Sequence, residues 1–284
     1  MLTKNECTCQ LYADDLELYT AINVDCDKNE LQERLNDLQA WSNTWQLKIS
    51  YKKCVTMLIS TAGPKPNIEL KLGNDVIPPT SDVKDLGVLI DNKLAFTVHI
   101  NHVVAKAFAR ANLISKCFIS KDISTLMHAF NVYVRPLLEY ASCVWSPYHA
   151  SKITQIERVQ RRFTKRLPGF ADITYKDRLH ILNTDSLELR RLRNDLLLTY
   201  KILFNLVDID AADFFTFANS RYDTRGHSFK LLAHHSRIDL RKNFFSERIV
   251  PVWNGLSATD NDFNSLRSFR SCIMKADLSK YLVL

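Results

Sequence analysis

Two adjacent carboxylates, Asp14 and Asp15, are the residues of this sequence with the clearest capacity for chemistry. They follow Tyr12 and Ala13, and β-prone residues flank them, so residues 10–20 are predicted to form two short strands around a tight turn. Neighbouring carboxylates repel each other unless a cation or hydrogen bonds compensate. Mg²⁺ prefers carboxylate oxygens, and metal-assisted phosphoryl transfer uses such pairs. On these residues alone, an ordinary exposed turn is the alternative.

A second candidate site is a cluster of five basic side chains at three- and four-residue steps. They are Arg158, Arg161, Arg162, Lys165 and Arg166. A helix over residues 151–167 would place them opposite an apolar face that includes Val159 and Phe163. Such a basic face can contact successive phosphates of a nucleic acid. A solvated basic surface is the alternative that the pattern leaves open.

The elements that must position these residues divide into two groups. Before about residue 97, short strands are predicted together with one helix that starts at a capping box over Asp27–Glu30. The apolar face of this helix contains Leu31, Leu35, Leu38, Trp41 and Trp45. Further strands are predicted at Leu47–Tyr51, Cys54–Ser60, Ile68–Leu72 and Asp85–Asp91, with a break at residues 63–66. After residue 97, helices are predicted at 97–118, 122–140, 151–167, 186–206, 241–256 and 263–276.

The net charge of +7 divides in the same way. Residues 1–100 hold 10 Lys and Arg against 14 Asp and Glu, a net of −4. Residues 101–284 hold 28 against 17, a net of +11. A basic block of that size indicates a polyanionic partner such as nucleic acid, although charge alone leaves a solvated surface with no specific partner open.

Composition favours an intracellular protein, in the cytoplasm or the nucleus, with no membrane partner. No stretch approaches the roughly 18 apolar residues of a membrane span, and no signal-peptide core begins the chain. Of the seven cysteines, only Cys7 and Cys9 are close together, which is a poor zinc pattern. Free thiols are therefore expected.

Other aromatic and histidine residues are expected to be structural. Buried core positions are favoured over base stacking for Tyr133, Tyr140, Trp145, Tyr148 and Trp253. Surface or structural positions are expected for His227, His234 and His235, because they have no carboxylate or Cys at ligand spacing.

Three segments occur in the order and at the spacing of reverse-transcriptase motifs. They are QLYADDLELY at 10–19, LQAWSNTWQLKISYKKC at 38–54 and DLGVLID at 85–91. The series resembles the reverse transcriptases of jockey-like non-LTR (LINE-type) retrotransposons. The similarity continues through YVRPLLEYASCVWSP (133–147), KITQIERVQRRFTKRLPG (152–169), RRLRNDLLLTYKIL (190–203), Arg225-Gly226-His227 and FFSERIVPVWNGL (244–256). It thus covers nearly all of the chain, starting just before the YADD motif. Ser50 and Ser257 depart from the family, which has Asn and Pro there.

The resemblance implies roles for individual residues of the first segments. Asp14 corresponds to the metal-binding carboxylate of the catalytic hairpin and Asp15 to its neighbour, with Mg²⁺ or Mn²⁺ as the metal. Lys53 falls where the family has a lysine assigned to protonating the leaving pyrophosphate. A solvated strand-edge lysine is the alternative, and the adjacent Lys52 competes for this place.

The resemblance also implies partners and a fold. Leu86 and Gly87 correspond to the backbone of the primer grip, with a bulged core strand as the structural alternative. The implied partners are an RNA template, a DNA primer or target, and a deoxynucleoside triphosphate. The implied fold is α+β. It consists of a partial polymerase palm at 1–94 with a short antiparallel sheet and a helix, a helical thumb at 95–170 and a helical C-terminal region at 171–284.

One part of the family pattern is missing. A reverse transcriptase needs a further metal-binding aspartate from a strand upstream of the catalytic hairpin, but only eleven residues precede Tyr12, with Glu6 as their one acidic residue. We therefore expect an incomplete metal site, and a fragment of an RNA-directed DNA polymerase, a nucleotidyltransferase, that does not extend a primer alone. A non-catalytic nucleic-acid-binding remnant of a decayed element is the alternative. An unrelated helical scaffold would require the motif series to be coincidence.

Overall fold

A computed structural model describes residues 7–22, 25–60, 68–218 and 226–283. The chain divides into two compact units, Met1–Ala95 and Phe96–Leu284, called here the first unit and the second unit. Glu6, the predicted break at 63–66 and Arg225 lie outside the described residues. Within the described part, no helix is both long and apolar enough to cross a membrane.

The first unit combines short antiparallel hairpins with one long helix. The hairpins pair β1 (Thr8–Tyr12) with β2 (Asp15–Tyr19), β3 (Lys71–Leu72) with β4 (Asp75–Val76), and β5 (Asp82–Asp85) with β6 (Val88–Asp91). The helix α1 spans Asp25–Trp45. A small core forms because apolar side chains of α1 and of the segment around β3 leave water together. It contains Leu31, Leu35, Leu70, Leu72 and Ile77.

The prediction of two strands between Leu47 and Ser60 is wrong, because these residues form no strand. Thr56 makes only a bridge to Pro79. Two backbone bonds hold this bridge: the Thr56 N–H donates to the Pro78 carbonyl at 3.0 Å, and the Thr80 N–H donates to the Thr56 carbonyl at 2.8 Å. Pro78 and Pro79 have no N–H to donate, so a ladder cannot extend along this segment.

The predicted start and apolar face of α1 also need correction. The helix begins at Asp25, so the predicted capping box at Asp27–Glu30 lies inside it. Trp41 and Trp45 continue the apolar periodicity but are 50% and 66% exposed. The face of α1 is thus buried around Leu31 and leaves two indole rings at the surface.

The second unit is built of helices. In the described residues these are α2 (Thr97–Cys117), α3 (Ile123–Tyr133), α4 (Arg135–Glu139), α5 (Ser142–Trp145), α6 (Ala150–Lys165), α7 (Tyr175–Ile181), α8 (Leu187–Leu203), α9 (Asp239–Lys242), α10 (Phe245–Asn254) and α11 (Leu266–Lys275). Short 3₁₀ turns lie at Ala211–Asp213 between α8 and α9, at Asp260–Phe263 between α10 and α11, and at Ser279–Tyr281 after α11. The predicted α+β class is confirmed, and the described strands of the first unit pair as three separate two-stranded ladders.

The helix predicted over 122–140 is broken at Val134. Pro136 lies in the first turn of α4, and proline lacks an N–H and crowds the preceding turn. The chain therefore starts a new helix there. The helices α5, α7 and α9 were not predicted as separate helices. Each has only four to seven residues, too few to show a clear 3.6-residue period of apolar side chains.

The core of the second unit is aromatic and includes the inner face of α8. Tyr200 of α8 stacks with Phe269 of α11, with ring centroids 4.7 Å apart. Trp253 of α10 is fully buried and meets the ring of Phe263 at 5.4 Å. Large rings at these distances contribute contact energy beyond their buried area, so α8, α10 and α11 are held firmly together.

Candidate functional site

The hairpin that carries Asp14 and Asp15 forms as predicted. Tyr12 pairs with Asp15, and the two-residue turn between them consists of Ala13 and Asp14. Ala13 adopts a left-handed conformation with φ of 53°, which two-residue hairpin turns require. Both carboxylates are exposed at the tip of this hairpin.

A second two-residue turn joins β5 to β6 through Leu86 and Gly87. Their φ values are 41° and 92°, so both residues are left-handed. Glycine adopts such values at no steric cost, whereas leucine rarely does. The segment that resembles a primer grip is therefore a hairpin turn with one strained residue, and not a bulge in a core strand.

The two hairpins meet at a pair of carboxyl groups. Glu17 of β2 shares a side-chain hydrogen bond with Asp85, the last residue of β5. The pKa of Glu17 is raised by burial first, then by this bond and by repulsion from Asp85 and Asp15. The sequence does not point to this pair, because the partners lie far apart in the chain and neither belongs to a ligand pattern.

Lys53 is not on a strand, which corrects the position expected for it. It ends the 3₁₀ turn Tyr51–Lys53 and is exposed. Among the described residues, no hydrogen bond or ion pair joins it to Asp14 or Asp15. The 3₁₀ turn forms in place of a strand, with the Lys53 N–H bonded to the Ser50 carbonyl at 2.9 Å.

The carboxylates at the hairpin tip do not by themselves fit a Mg²⁺ site. Such a site takes several oxygen ligands in near-octahedral geometry. The described residues contain no group of three His, Cys, Asp or Glu side chains that could hold a metal ion. Asp14 of the turn and Asp15 at the start of β2 supply two adjacent carboxylates at one hairpin tip, and we derive no reaction step from them.

The predicted basic helix is α6, and its two faces divide as the pattern indicates. Its five basic side chains, including Arg166 at the C-cap, are exposed, while Val159 and Phe163 are buried. Throughout the part of the chain that the structure describes, none of the five pairs with a carboxylate within 4 Å. Their charge is thus available to an outside anion.

Neighbouring groups orient three of these side chains. The guanidinium of Arg161 lies 4.8 Å from the ring centre of Tyr175, and that of Arg162 lies 5.8 Å from the ring of Phe108. Arg166 donates from Nη1 to Asn112 Oδ1 at 2.7 Å. Cation–π contacts and a neutral amide leave the charge of a guanidinium in place, so the face is ordered without being neutralised.

The helix α2 runs alongside α6 in the same direction. Gln155 donates to Asn101 Oδ1 at 2.8 Å near the start of both helices, and Arg166 contacts Asn112 near their ends. The basic face of α6 is therefore bordered by amide side chains of α2. Amides can donate and accept hydrogen bonds without adding charge.

Beneath the basic face lies a buried carboxylate that the sequence analysis missed. Glu157 is fully buried and accepts the Tyr175 hydroxyl together with the backbone N–H groups of Leu187 at 3.1 Å and Glu188 at 3.3 Å. Those two N–H groups open α8, where a negative charge is favoured by the helix dipole. Burial raises the pKa of Tyr175, and the charge of Glu157 adds to this. The carboxylate thus joins α6, α7 and α8 at one point.

The aromatic residues divide between core and surface. Trp145 and Trp253 are buried as expected, with 1% and 0% exposure. The core position expected for the three tyrosines is wrong, since Tyr133, Tyr140 and Tyr148 are 44–59% exposed. Tyr133 and Tyr140 lie directly before the breaks at Val134 and Ala141, and Tyr148 lies after both, so a single helical period does not apply to the three residues.

His227 is structural. It is buried, and its Nε2 lies 3.0 Å from the carbonyl of Trp253, which makes that nitrogen the donor. Burial lowers the pKa of His227. His234, by contrast, is half exposed and lies 3.7 Å from Glu247.

The sequence is similar to several known proteins. Over 135 residues, the chain is 30% identical to the uncharacterized protein B0403.1 of Caenorhabditis elegans, covering 45% of this chain and 68% of that protein. The chain belongs to the family of this nematode protein. No family model matches the sequence, and no solved structure matches it.

Two further relatives have names that state an activity. The probable RNA-directed DNA polymerase from transposon BS of Drosophila melanogaster is 27% identical over 157 residues, which is 53% of this chain and 17% of that protein. The RNA-directed DNA polymerase from mobile element jockey of the same species is 25% identical over 163 residues, 56% of this chain and 18% of that protein. The chain thus spans less than a fifth of these polymerases.

Proposed function

We propose that this chain is part of an RNA-directed DNA polymerase of a jockey-like non-LTR retrotransposon, in which the second unit binds nucleic acid. The observation that carries the binding role is the α6 face, with five exposed cations and no carboxylate partner among the described residues. The similarity to two named polymerases over more than half of the chain supports the class. The partners would be an RNA template, a DNA primer or target and, in the whole enzyme, a deoxynucleoside triphosphate.

The first unit would contribute parts of the polymerase palm, over residues 1–94. Asp14 and Asp15 would be two of the carboxylates that hold Mg²⁺ or Mn²⁺ in the whole enzyme, where the metal stabilises charge on the transferred phosphoryl group. Leu86 and Gly87 would form the primer grip, and Lys53 would be the general acid. Support for these roles comes from the two exposed hairpin turns and from the motif series.

The second unit would act as a helical thumb at 95–170 and a C-terminal region at 171–284. Its proposed task is to hold the sugar–phosphate backbone through α6. Contacts of this kind position a nucleic acid without reading its sequence. An enzyme that copies RNA into DNA acts where both occur, so we place it in the cytoplasm or the nucleus.

A five-fold substitution tests the binding role. Replacing Arg158, Arg161, Arg162, Lys165 and Arg166 by Gln should weaken binding to single-stranded RNA. Each neutralised phosphate adds about 0.7–0.9 to the slope of log K against log salt, so the slope should flatten by up to about 3–4 units. Gln keeps most of the helix propensity, so α6 should persist. Fluorescence anisotropy from about 50 to 300 mM salt measures the slope.

A matched control removes the same charge from other elements of the second unit. The control replaces the exposed residues Lys242, Arg267, Arg270, Lys275 and Lys280 by Gln. Its slope should stay close to that of the unmodified chain. An unchanged slope in the α6 variant, or equal flattening in both variants, would show that binding does not reside in α6.

A non-catalytic nucleic-acid-binding protein is the second candidate, because the exposed basic face of α6 supports binding whether or not the chain carries out a reaction. Primer extension on an RNA template with Mg²⁺ or Mn²⁺ separates the two. Incorporation that is lost in Asp14→Ala supports an active polymerase. RNA binding with no incorporation by the isolated chain supports the second candidate, and it is the result that we expect.

A further inference from the structure

Among the described residues, the buried guanidinium of Arg178 has no carboxylate partner within 4 Å. Arg178 of α7 is 3% exposed. Its Nη2 donates to the carbonyl of Arg161 at 3.2 Å, and its Nε is buried with no hydrogen-bond partner. A buried charge normally requires a partner of opposite sign.

The nearest cation makes this arrangement less favourable still. The guanidinium groups of Arg161 and Arg178 both lie near the ring of Tyr175, at 4.8 Å and 5.5 Å from its centre. Burial lowers the pKa of Arg178, and repulsion from Arg161 acts in the same direction. Two like charges thus share one aromatic ring.

The acidic groups nearby are engaged elsewhere. Glu157 accepts the Tyr175 hydroxyl and two backbone N–H groups of α8. Asp177, the neighbour of Arg178 in sequence, accepts the Thr174 hydroxyl at 2.6 Å in the cap of α7. Neither carboxylate serves as the counter-ion of Arg178, so the positive charge at this point is uncompensated.

We infer that Arg161 and Arg178 form a binding site for one phosphate group. Guanidinium groups bind phosphate through charge-assisted hydrogen bonds, and the free Nε–H of Arg178 supplies one such donor. Arg178 is fixed by its bond to the α6 backbone, while Arg161 is exposed and held only by stacking, so it can turn toward the ligand. The phosphate group could belong to a free phosphate ion or to a nucleic acid. The nucleic-acid source rests on the proposed function, whereas the free ion does not.

Thermal stability tests the site without any nucleic acid. Phosphate should raise the melting temperature of the full chain above that in chloride at equal ionic strength. The expected rise is about 3–5 °C for each tenfold excess of phosphate over its Kd. Arg178→Gln should remove this rise, whereas Arg270→Gln, which changes an exposed arginine of α11 outside both the α6 face and the Tyr175 contact, should keep it. The control also reports the general effect of phosphate on protein stability.

Two further readouts keep the test decisive. Arg161→Gln changes an exposed residue and should also reduce the rise, so the test does not depend on the folding of one buried variant. In the unmodified chain, the Nε–H resonance of Arg178 should shift on titration with phosphate and not with chloride. An equal rise in all variants together with an unmoved resonance would overturn the site and would point to a buried water at Nε.

Short RNAs that differ only at the 5′ end identify the source of the phosphate. Tighter binding of the 5′-phosphorylated RNA, lost in Arg178→Gln, assigns the site to a terminal phosphate. Equal loss for the 5′-phosphate and 5′-hydroxyl RNAs assigns it to the backbone. If Arg178→Gln changes the affinity for neither RNA but phosphate raises the melting temperature, free phosphate is the ligand. If phosphate does not raise the melting temperature either, the inference is overturned. A chain that binds phosphate but no RNA refutes the proposed function and leaves the site standing.

Discussion

The two units of this chain differ in what lies beneath their candidate sites. In the described residues, the first unit has a cluster of five buried aliphatic side chains, and rings such as Tyr12, Trp41 and Trp45 are exposed. The second unit has a cluster of 17 buried apolar residues with Trp253 among them. Apolar burial is the main favourable term in folding, so the second unit should be much the more stable.

The candidate sites reflect this difference. The α6 face rests on buried Val159 and Phe163, and Glu157 ties it to α7 and α8. The tip at Asp14 is carried by two strands whose side chains are mostly exposed. Because α6 packs on a buried core, its basic face should be preformed for binding. The hairpin at Asp14 has few packing contacts, so its side chains are less firmly fixed.

Truncating one indole ring in each unit tests the comparison most strongly. Trp253→Ala should destabilise the second unit by about 3–5 kcal/mol, because it leaves a cavity and also removes the bond from Nε1 to the Phe229 carbonyl at 2.7 Å. Trp41→Ala is its match in the first unit. Trp41 is half exposed, so its loss should cost about 1 kcal/mol or less.

The measurement needs a signal from each unit in the full chain. The chain has four tryptophans, at 41 and 45 in the first unit and at 145 and 253 in the second. ¹⁹F resonances of 5-fluorotryptophan therefore follow both units in one urea titration, and Trp145 still reports the second unit when Trp253 is replaced. Equal losses in the two variants would refute the claim that the units differ in this way.

The pH response should have opposite signs in the two units, with a smaller effect than loss of a core ring. Burial lowers the pKa of His227 and of His99 from the ordinary 6.5. Below about pH 6.5 the unfolded state takes up protons that the folded state resists, so the second unit loses stability as pH falls. The first 95 residues contain no histidine.

In the first unit the titrating group is Glu17, whose pKa is raised from 4.5, first by burial. Its contribution to stability is full below pH 4.5 and declines as pH rises through the raised value. A change from about pH 7.5 to about pH 5.5 should therefore destabilise the second unit alone. Urea titrations read by the same fluorine signals check this, with His227→Gln expected to reduce the loss. A parallel loss in the first unit would contradict the assignment.

Long amphipathic helices and the hairpin that carries Asp14 and Asp15 could be predicted from the sequence. The α6 pattern repeats over four turns, and the β-prone residues around Asp14 define a short hairpin, so local information is sufficient in both cases. The prediction of strands before Ser60 was wrong because a ladder there depends on a distant partner segment, and that segment contains Pro78 and Pro79. Pairing between distant segments is not encoded in local alternation.

The candidate phosphate site could not be predicted for the same physical reason. Arg178 of α7 and Glu157 of α6 resemble ordinary hydrophilic helix residues, and only the packing of α6, α7 and α8 against one another buries them. The contact between Glu17 and Asp85 likewise joins two hairpins. Charge can be counted along a sequence, but whether a charge is compensated depends on tertiary neighbours.

The smallest predicted effect concerns left-handed backbone positions. Among the described residues other than glycine, those of the first unit are Ala13, Gln46, Leu86 and Leu94, and those of the second are Phe96, Ala141, Asn183 and Asn205. Asparagine tolerates this conformation and leucine does not, because its branched side chain crowds the backbone. The first unit therefore stores more local strain in its turns.

Exchanging these residue types should move the stabilities of the two units in opposite directions. Leu86→Asn should stabilise the first unit by about 0.5–1 kcal/mol, and Asn205→Leu, at an exposed turn with φ of 52°, should destabilise the second by a similar amount. Urea titration read by the fluorine signals measures the free energy of unfolding of each unit in the two variants. A loss of stability in Leu86→Asn would mean that packing of this side chain outweighs the strain of its turn. A gain in stability combined with weaker binding of a primer–template duplex would instead support the proposed primer-grip role of the strained leucine, since strained backbone positions cluster at functional sites.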